Sequence, residues 1–201
     1  NVLLFTYTLH LFTRSDLKTI WIPVTVLGIV SAQCGNLRDI FLTSAWVWLH
    51  LLQFCVSNQS LPGGATEDTV NKPWRPVPSG RITLRAARRL RWLLALLCVA
   101  VSSTLHATAP SLALTLIFWG NNELGFDSHW ALRNVFNGMG YGGFNLGATY
   151  VASGSFSVLS PAAIPHVLAS LVIITTIQAQ DFQDATGDAA RGRRTLPLVY
   201  P

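Results

Sequence analysis

The chain has 201 residues, half of them hydrophobic and 11% charged, with a mean hydropathy of +0.40 and a formal net charge of +5. A soluble domain carries about 25% charged residues, so this composition argues against an ordinary soluble enzyme and for a protein of the lipid bilayer. The basic residues sit beside apolar runs, which reads as orientation in a bilayer and not as a nucleic-acid surface.

The opening stretch NVLLFTYTLHLF lacks a basic leader and a cleavage site. It reads as an interfacial helix or the remnant of a longer N-terminus, not as a signal peptide. A spanning helix needs roughly 20 mostly apolar residues. Six stretches qualify or come close: 17–35, 40–57, 88–105, 108–120, 130–153 and 161–180. Pro23 falls near the start of the first, where it is tolerated. The fourth is short, and reads as tilted or partly re-entrant. The fifth carries GMGYGG, which permits close helix approach or forms a pocket floor. Its Asn137 and Asn145 are polar groups expected to face the bundle interior, whereas Asn134, beside Arg133 at the start of the span, reads as a phosphate contact or a cap of the helix boundary.

Charge then orients the spans. With six crossings, all Lys and Arg fall on one side except Arg38, and all acids on that side except Asp39. The positive-inside rule makes the crowded side cytoplasmic. Acids contribute little to that rule, so both signs meeting on one face points to a polar site there. Glu123 and Asp127 read as part of a loop over it.

Two segments carry the charge. The first, 58–80, is NQSLPGGATEDTVNKPWRPVPSG. Its Pro and Gly content opposes a continuous helix, although TEDTVNK has room for a turn or two before Pro73. Glu67 and Asp68 offer carboxylates, Asn58 and Asn71 offer neutral amides, and Lys72 and Arg75 suit phosphate. The second, 181–197, is DFQDATGDAARGRRTLP. Asp181, Asp184 and Asp188 are spaced three and four apart and share one face if the sixth helix continues through them. Crowded carboxylates repel, and a divalent cation relieves them. Oxygen ligands plus phosphate are how Mg2+ is commonly held. Arg191 and Arg194 follow, and guanidinium binds phosphate as a fork. Arg133, at the start of the fifth span, is placed to join them. Acids for a metal and cations for phosphate together make a diphosphate site.

Other chemistries lack support. Cys34, Cys55 and Cys98 lie in apolar segments without C-x-x-C or Cys/His spacing, against zinc or a disulfide framework. The histidines show no ligand spacing, and no Gly-rich nucleotide loop occurs.

NKPWRPVPSGRIT paired with DFQDATGDAARGRRTLP resembles the UbiA superfamily of intramembrane prenyltransferases, most closely the fungal branch that includes membrane-bound terpene cyclases. Asp184 and Asp188, then Gly192, Arg194 and Thr195, match the second family motif. The first motif departs from the usual N-x-x-x-D-x-x-x-D: here Asn58 is followed by Glu67–Asp68 after a longer gap. That departure leans toward terpene cyclases and away from transfer to an aromatic acceptor.

The resemblance implies an all-α membrane bundle with nine helices, of which the last three fall beyond Pro201, and one domain over 1–201. It implies a metal site at Asn58, Glu67, Asp68, Asp181, Asp184 and Asp188, with Asp68, Asp184 and Asp188 catalytic. It places Lys72, Arg75, Asn71, Arg191, Arg194 and Arg133 toward the diphosphate. The implied cofactor is Mg2+, and the implied substrate an allylic isoprenoid diphosphate such as farnesyl diphosphate, with the endoplasmic reticulum as the membrane. Trp46, Trp48, Phe54, Trp119, Phe136, Tyr141, Phe144 and Tyr150 are candidates to face a carbocation. A non-catalytic membrane protein, such as a transporter or a degenerate relative, is the reading from a different class.

Overall fold

A computed structural model describes residues 2–61 and 63–200. Among these residues every regular element is helical. Helix α1 (Val2–Thr13) leads through a π-helical turn (Leu17–Trp21) into α2 (Ile22–Ser31). Then come α3 (Leu37–Gln59), short α4 (Gly64–Asn71), α5 (Leu84–Thr104) and α6 (Thr108–Glu123). Helix α7 (Trp130–Ser153) precedes α8 (Ile164–Thr176), a tight turn (Ile177–Gln180), α9 (Asp181–Arg191) and α10 (Leu196–Val199).

The expected spans appear at nearly the expected places, and the chain is all-α as read from the sequence. Among the described residues, only α3 and the Pro161–Arg191 stretch are sufficient to cross a bilayer by length and apolarity alone. The other spans fall short for local reasons. Helix α5 begins with an arginine-rich turn, and α6 is only 16 residues long. Helix α7 is diluted by glycine and asparagine. Their outward faces are nonetheless apolar. On α5, Ala87, Leu94, Cys98 and Ser102 are buried, while Leu93, Leu96 and Leu97 face outward, Leu96 being 71% exposed. A stripe of exposed leucine along a helix whose other face is packed is a lipid-facing surface.

Helix α7 is the hub, packed against α2, α3, α6 and α8. Its glycines make that possible. A Cβ at Gly147 would overlap the Trp46 indole, and one at Gly138 would overlap Ile174. Gly140 has open space instead, and borders an inner chamber. The glycine run thus serves both uses read from the sequence: close helix approach and an open floor.

Helix α3 is tied to its neighbours by buried polar contacts. Trp46 Nε1 donates to Ser102 Oγ at 2.8 Å, and His50 bridges the Trp46 carbonyl at 2.9 Å and Ser111 Oγ at 2.8 Å. Gly147→Ala is expected to force Trp46 off this network, at a cost of about 1–3 kcal/mol for overpacking. A lowered thermal midpoint in detergent checks this.

Helix α3 also sets the polarity of the bundle. Asn36 caps its start beside Arg38 and Asp39, accepting from the Asp39 N–H at 2.8 Å. Asn58 lies at the far end, roughly 30 Å away at 1.5 Å per residue. Both charged segments gather at that far end, where α4 packs on α9.

Candidate functional site

The 58–80 segment is more ordered than its Pro and Gly content implies. Gly63 takes a left-handed φ of 79°, and helix α4 starts at once. TEDTVN forms most of that helix, which places Glu67 and Asp68 on successive positions. Lys72 and Arg75 follow in a turn closed by the Arg75 N–H donating to the Lys72 carbonyl at 2.9 Å. The chain enters α9 through the tight turn Ile177–Gln180, so Asp181 begins a new helix. The two helices touch because Gly187 lies against the Asn71 side chain. Asn71 Nδ2 donates to the Asp184 carbonyl at 3.1 Å.

Each acid of the two charged segments is met by a cation, Glu67, Asp181 and Asp184 by one from another part of the chain and Asp68 and Asp188 by one of their own segment. Lys72 Nζ donates to both oxygens of Asp184 at 2.9 Å. Arg75 holds Asp68 at 2.7 Å. Arg133, on α7, holds Asp181 through Nε at 3.2 Å and Nη2 at 2.8 Å. Arg191 reaches Glu67 at 3.1 Å and Asp127 at 3.2 Å. Arg193 grips three acids at once: Glu67 at 2.9 Å, Asp188 at 3.0 Å and Asp127 at 2.5 Å. Burial alone would lower the Arg193 pKa, but Glu67, Asp127 and Asp188 outweigh it and hold it raised. Burial raises the Asp68 carboxyl, with Arg75 opposing.

These residues surround a cavity of about 400 Å³. Four cations (Lys72, Arg75, Arg133, Arg193) and three acids (Asp16, Glu67, Asp184) line it, with Asn58, Asn121 and Asn137 among the neutral groups. A smaller chamber shares Ile20, Phe54, Asn121, Asn137 and Tyr141 with it, and adds Phe118, Phe136 and Phe144. Two adjoining spaces with a shared wall therefore lead from an ionic mouth to an aromatic interior.

The sequence-derived residues divide accordingly. Asn58, Glu67, Lys72, Arg75, Arg133 and Asp184 line the cavity. Asp68, Asn71, Asp181, Asp188 and Arg191 stand behind the wall, each in contact with a residue that lines it. Arg194 does not join them: its side chain is exposed, and its backbone pairs with Ser128 and Trp130 instead. Glu123 is away from the mouth, paired with Arg91, whereas Asp127 is locked into the arginine cluster. Of the aromatic candidates, Phe54, Phe136, Tyr141 and Phe144 line these spaces, whereas Trp46, Trp48, Trp119 and Tyr150 do not.

Arg193, Asp16 and Phe118 belong to the site and escape the sequence reading. Arg193 escapes because helical spacing does not apply to it. Gly192, at φ 74°, ends α9 and reverses the chain, and the Arg193 N–H turns back to the Asp188 carbonyl at 3.0 Å. That turn sends Arg193 inward and Arg194 outward. Gly192 was the signal, as a helix-ending glycine just before an arginine pair.

A divalent cation is the group these motifs imply. Among the described residues no three His, Cys, Asp or Glu side chains converge tightly enough to hold one alone. The donor chemistry still fits. Asp68 Oδ2 and Asp188 Oδ2 are buried without partners, on two helices that face each other. Mg2+ usually takes only one or two carboxylates and completes its shell with phosphate and water.

Known proteins resemble this chain in sequence and, among solved structures, in fold. The chain is 35% identical over 196 residues to the fumagillin beta-trans-bergamotene synthase of Aspergillus fumigatus, covering 97% of this chain and 67% of that one. It is 30% identical to the somaliensene A/B synthase of Streptomyces somaliensis, covering 94% and 64%, and 31% identical to a diterpene cyclase of Hericium erinaceus, covering 94% and 62%. The chain thus spans about two thirds of the length of the curated relatives it matches. A UbiA homologue from Archaeoglobus fulgidus, solved with GPP and Mg2+ bound, superposes with a TM-score of 0.77 over 96% of this chain and 69% of that one, at 13% identity. A family profile described as the UbiA prenyltransferase family matches residues 19–201. With its helix order, its paired acidic segments at one end of the bundle and this match, the chain belongs to the UbiA prenyltransferase family of integral membrane proteins.

Proposed function

We propose that this chain forms the catalytic bundle of a Mg2+-dependent enzyme that ionises an allylic isoprenoid diphosphate in the membrane and cyclises the prenyl group. One observation carries the reading: a cavity lined by paired acids and cations adjoins an aromatic chamber, with five residues common to both walls. The first is suited to a charged head and its metal, the second to an apolar tail. Segments 58–80 and 181–197 are the two halves of the mouth.

Asn58, Glu67 and Asp184 on the cavity wall, with the unpartnered oxygens of Asp68 and Asp188 behind them, would hold Mg2+, which would supply positive charge to the departing diphosphate. Asp181 steadies Arg133. Lys72, Arg75, Arg133 and Arg193 line the mouth and exchange carboxylate partners for phosphate oxygens. Asn71 and Arg191 hold Asp184 and Glu67 in place. Phe54, Phe118, Phe136, Tyr141 and Phe144 exclude water and present ring faces to the carbocation.

The departing first motif and the names of the synthase and cyclase relatives support cyclisation. A polyprenyl transferase of Hericium erinaceus, 29% identical over 200 residues, keeps transfer to an acceptor as the second reading. The basic clustering supports a cytoplasmic mouth, and likeness to fungal relatives supports the endoplasmic reticulum.

The test uses membranes bearing the chain, farnesyl diphosphate and no acceptor, with Mg2+ or with chelator. Mg2+-dependent diphosphate release together with a cyclic hydrocarbon in the volatile extract is the expected result. Release that needs an added acceptor moves the assignment to transfer. No release under either condition overturns the proposal.

A further inference from the structure

We propose that Asp16 is the proton acceptor that ends the reaction, taking a proton from the carbocation after the diphosphate has left. The inference rests on the function proposed above. It concerns a residue just before the 19–201 stretch that the family profile matches.

Position comes first. Asp16 lines the 400 Å³ cavity together with Ile20, Phe54 and Tyr141, which also line the inner chamber. Its side chain therefore borders the cavity whose wall is shared in part with the apolar chamber. The other acids lining the cavity are committed to cations, Glu67 to Arg191 and Arg193, and Asp184 to Lys72. Among the described residues Asp16 has no ion pair. Its recorded side-chain contact is the Cys55 thiol, which donates to Oδ2 at 3.5 Å. A carboxylate bound to no cation is free to take a proton.

Its backbone is fixed. The Asp16 N–H donates to the Thr13 carbonyl at 2.9 Å, and the Asp16 carbonyl accepts from Ile20 at 2.8 Å and Trp21 at 3.2 Å, which starts the π-helical turn. Such turns recur at functional sites. Tyr141 OH donates to the Thr19 carbonyl at 3.2 Å and pins that turn to α7.

The surroundings suit a base. Cys55 on α3, Lys72 and Arg75 after α4, Asp184 on α9 and Tyr141 on α7 face it. Burial raises the Asp16 carboxyl above the ordinary aspartate value, with Arg75 opposing. A raised carboxyl is a stronger proton acceptor in the Brønsted sense.

The step balances. The C–O bond of the substrate breaks, and its electron pair leaves with diphosphate. A C–H bond beside the cationic carbon then breaks, and its pair becomes the new C=C bond. The proton passes to Asp16, which becomes neutral and returns it to water at the mouth. No oxidant or reductant is needed.

The experiment compares Asp16→Asn and Asp16→Glu with the unaltered protein, using farnesyl diphosphate and Mg2+. Hydrocarbon and diphosphate are quantified separately. Asp16→Asn should lower hydrocarbon by about 10²-fold, the lower end for a lost general base. Diphosphate release should fall far less, and prenyl carbon should reappear as water-quenched alcohol. Asp16→Glu should restore part of the hydrocarbon. Equal loss of both products, or loss of neither, overturns the role of Asp16. Absence of diphosphate release from the unaltered protein instead overturns the function beneath it. A second readout needs no turnover: the infrared band of a protonated carboxyl should titrate above the ordinary aspartate range and vanish in Asp16→Asn. A band unchanged by that substitution also counts against the proposal.

Discussion

Arg193→Ala is expected to destabilise the protein more than any other single change at the mouth. Arg193 is 7% exposed and is shared by Glu67, Asp127 and Asp188. Removing it leaves three carboxylates close together, two of them less than 5% exposed. Only Arg191 remains to answer Glu67 and Asp127, and nothing recorded replaces the contact to Asp188. A buried ion pair adds little over an apolar replacement, but deleting one partner costs about 3–5 kcal/mol because the other charge is left stranded. For a chain of this size that is roughly 2–4 °C of melting temperature per kcal/mol. Arg193→Lys keeps the charge and loses the planar fork, so it should recover part of the loss. Thermal denaturation in detergent reads both variants. A midpoint for Arg193→Ala within two degrees or so of the unaltered protein would falsify the view that Arg193 bolts the two motif segments together, given that slope.

Arg193 also shows where sequence reading stops. Long apolar stretches fix helices because the bilayer demands that every backbone polar group be satisfied within the segment. The bundle was therefore legible, down to the fifth helix at Trp130–Ser153. The meeting of the two charged segments was legible too, since charge of both signs on one face needs a reason. The pairing was not. Asp181, Asp184 and Asp188 share a helix, yet go to Arg133, Lys72 and Arg193, which belong to three different elements. Helical spacing says which acids are neighbours, and long-range packing decides which cation each receives. Arg133 and Asp181 illustrate this. One was read as a phosphate ligand and the other as a metal ligand, and each takes the other's charge. Asp16 was illegible for a plainer reason: it is one of several polar residues (Arg14, Ser15, Lys18) in the connection between two apolar helices, and only the packing of α3 and α7 against its turn brings it to the cavity.

Asp184→Asn and Asp188→Asn should part ways, although the same motif carries both. Asp184 lines the cavity, its side chain is 23% exposed, and its recorded ion pair is with a Lys72 that is 24% exposed. A pair so open to water contributes at most about 1 kcal/mol, so Asp184→Asn should fold almost as well as the unaltered chain. Its loss should fall on catalysis, by about 10²–10³-fold in diphosphate release, the range for deleting one preorganised electrostatic group. Asp188 is fully buried, with one oxygen on Arg193 and the other without a partner. Asp188→Asn removes a charge from the arginine cluster, and should lower the melting temperature as well as the rate. A Lys72→Met/Asp184→Asn double variant decides what Asp184 does. If its only task is to neutralise Lys72, removing both charges should recover activity lost in Asp184→Asn. If the carboxylate acts on the metal and diphosphate, the double variant should be at least as inactive as the single one. Recovery would therefore reassign Asp184 from the reaction to the scaffold, and would leave Glu67 on α4 as the cavity-lining acid of these two helices.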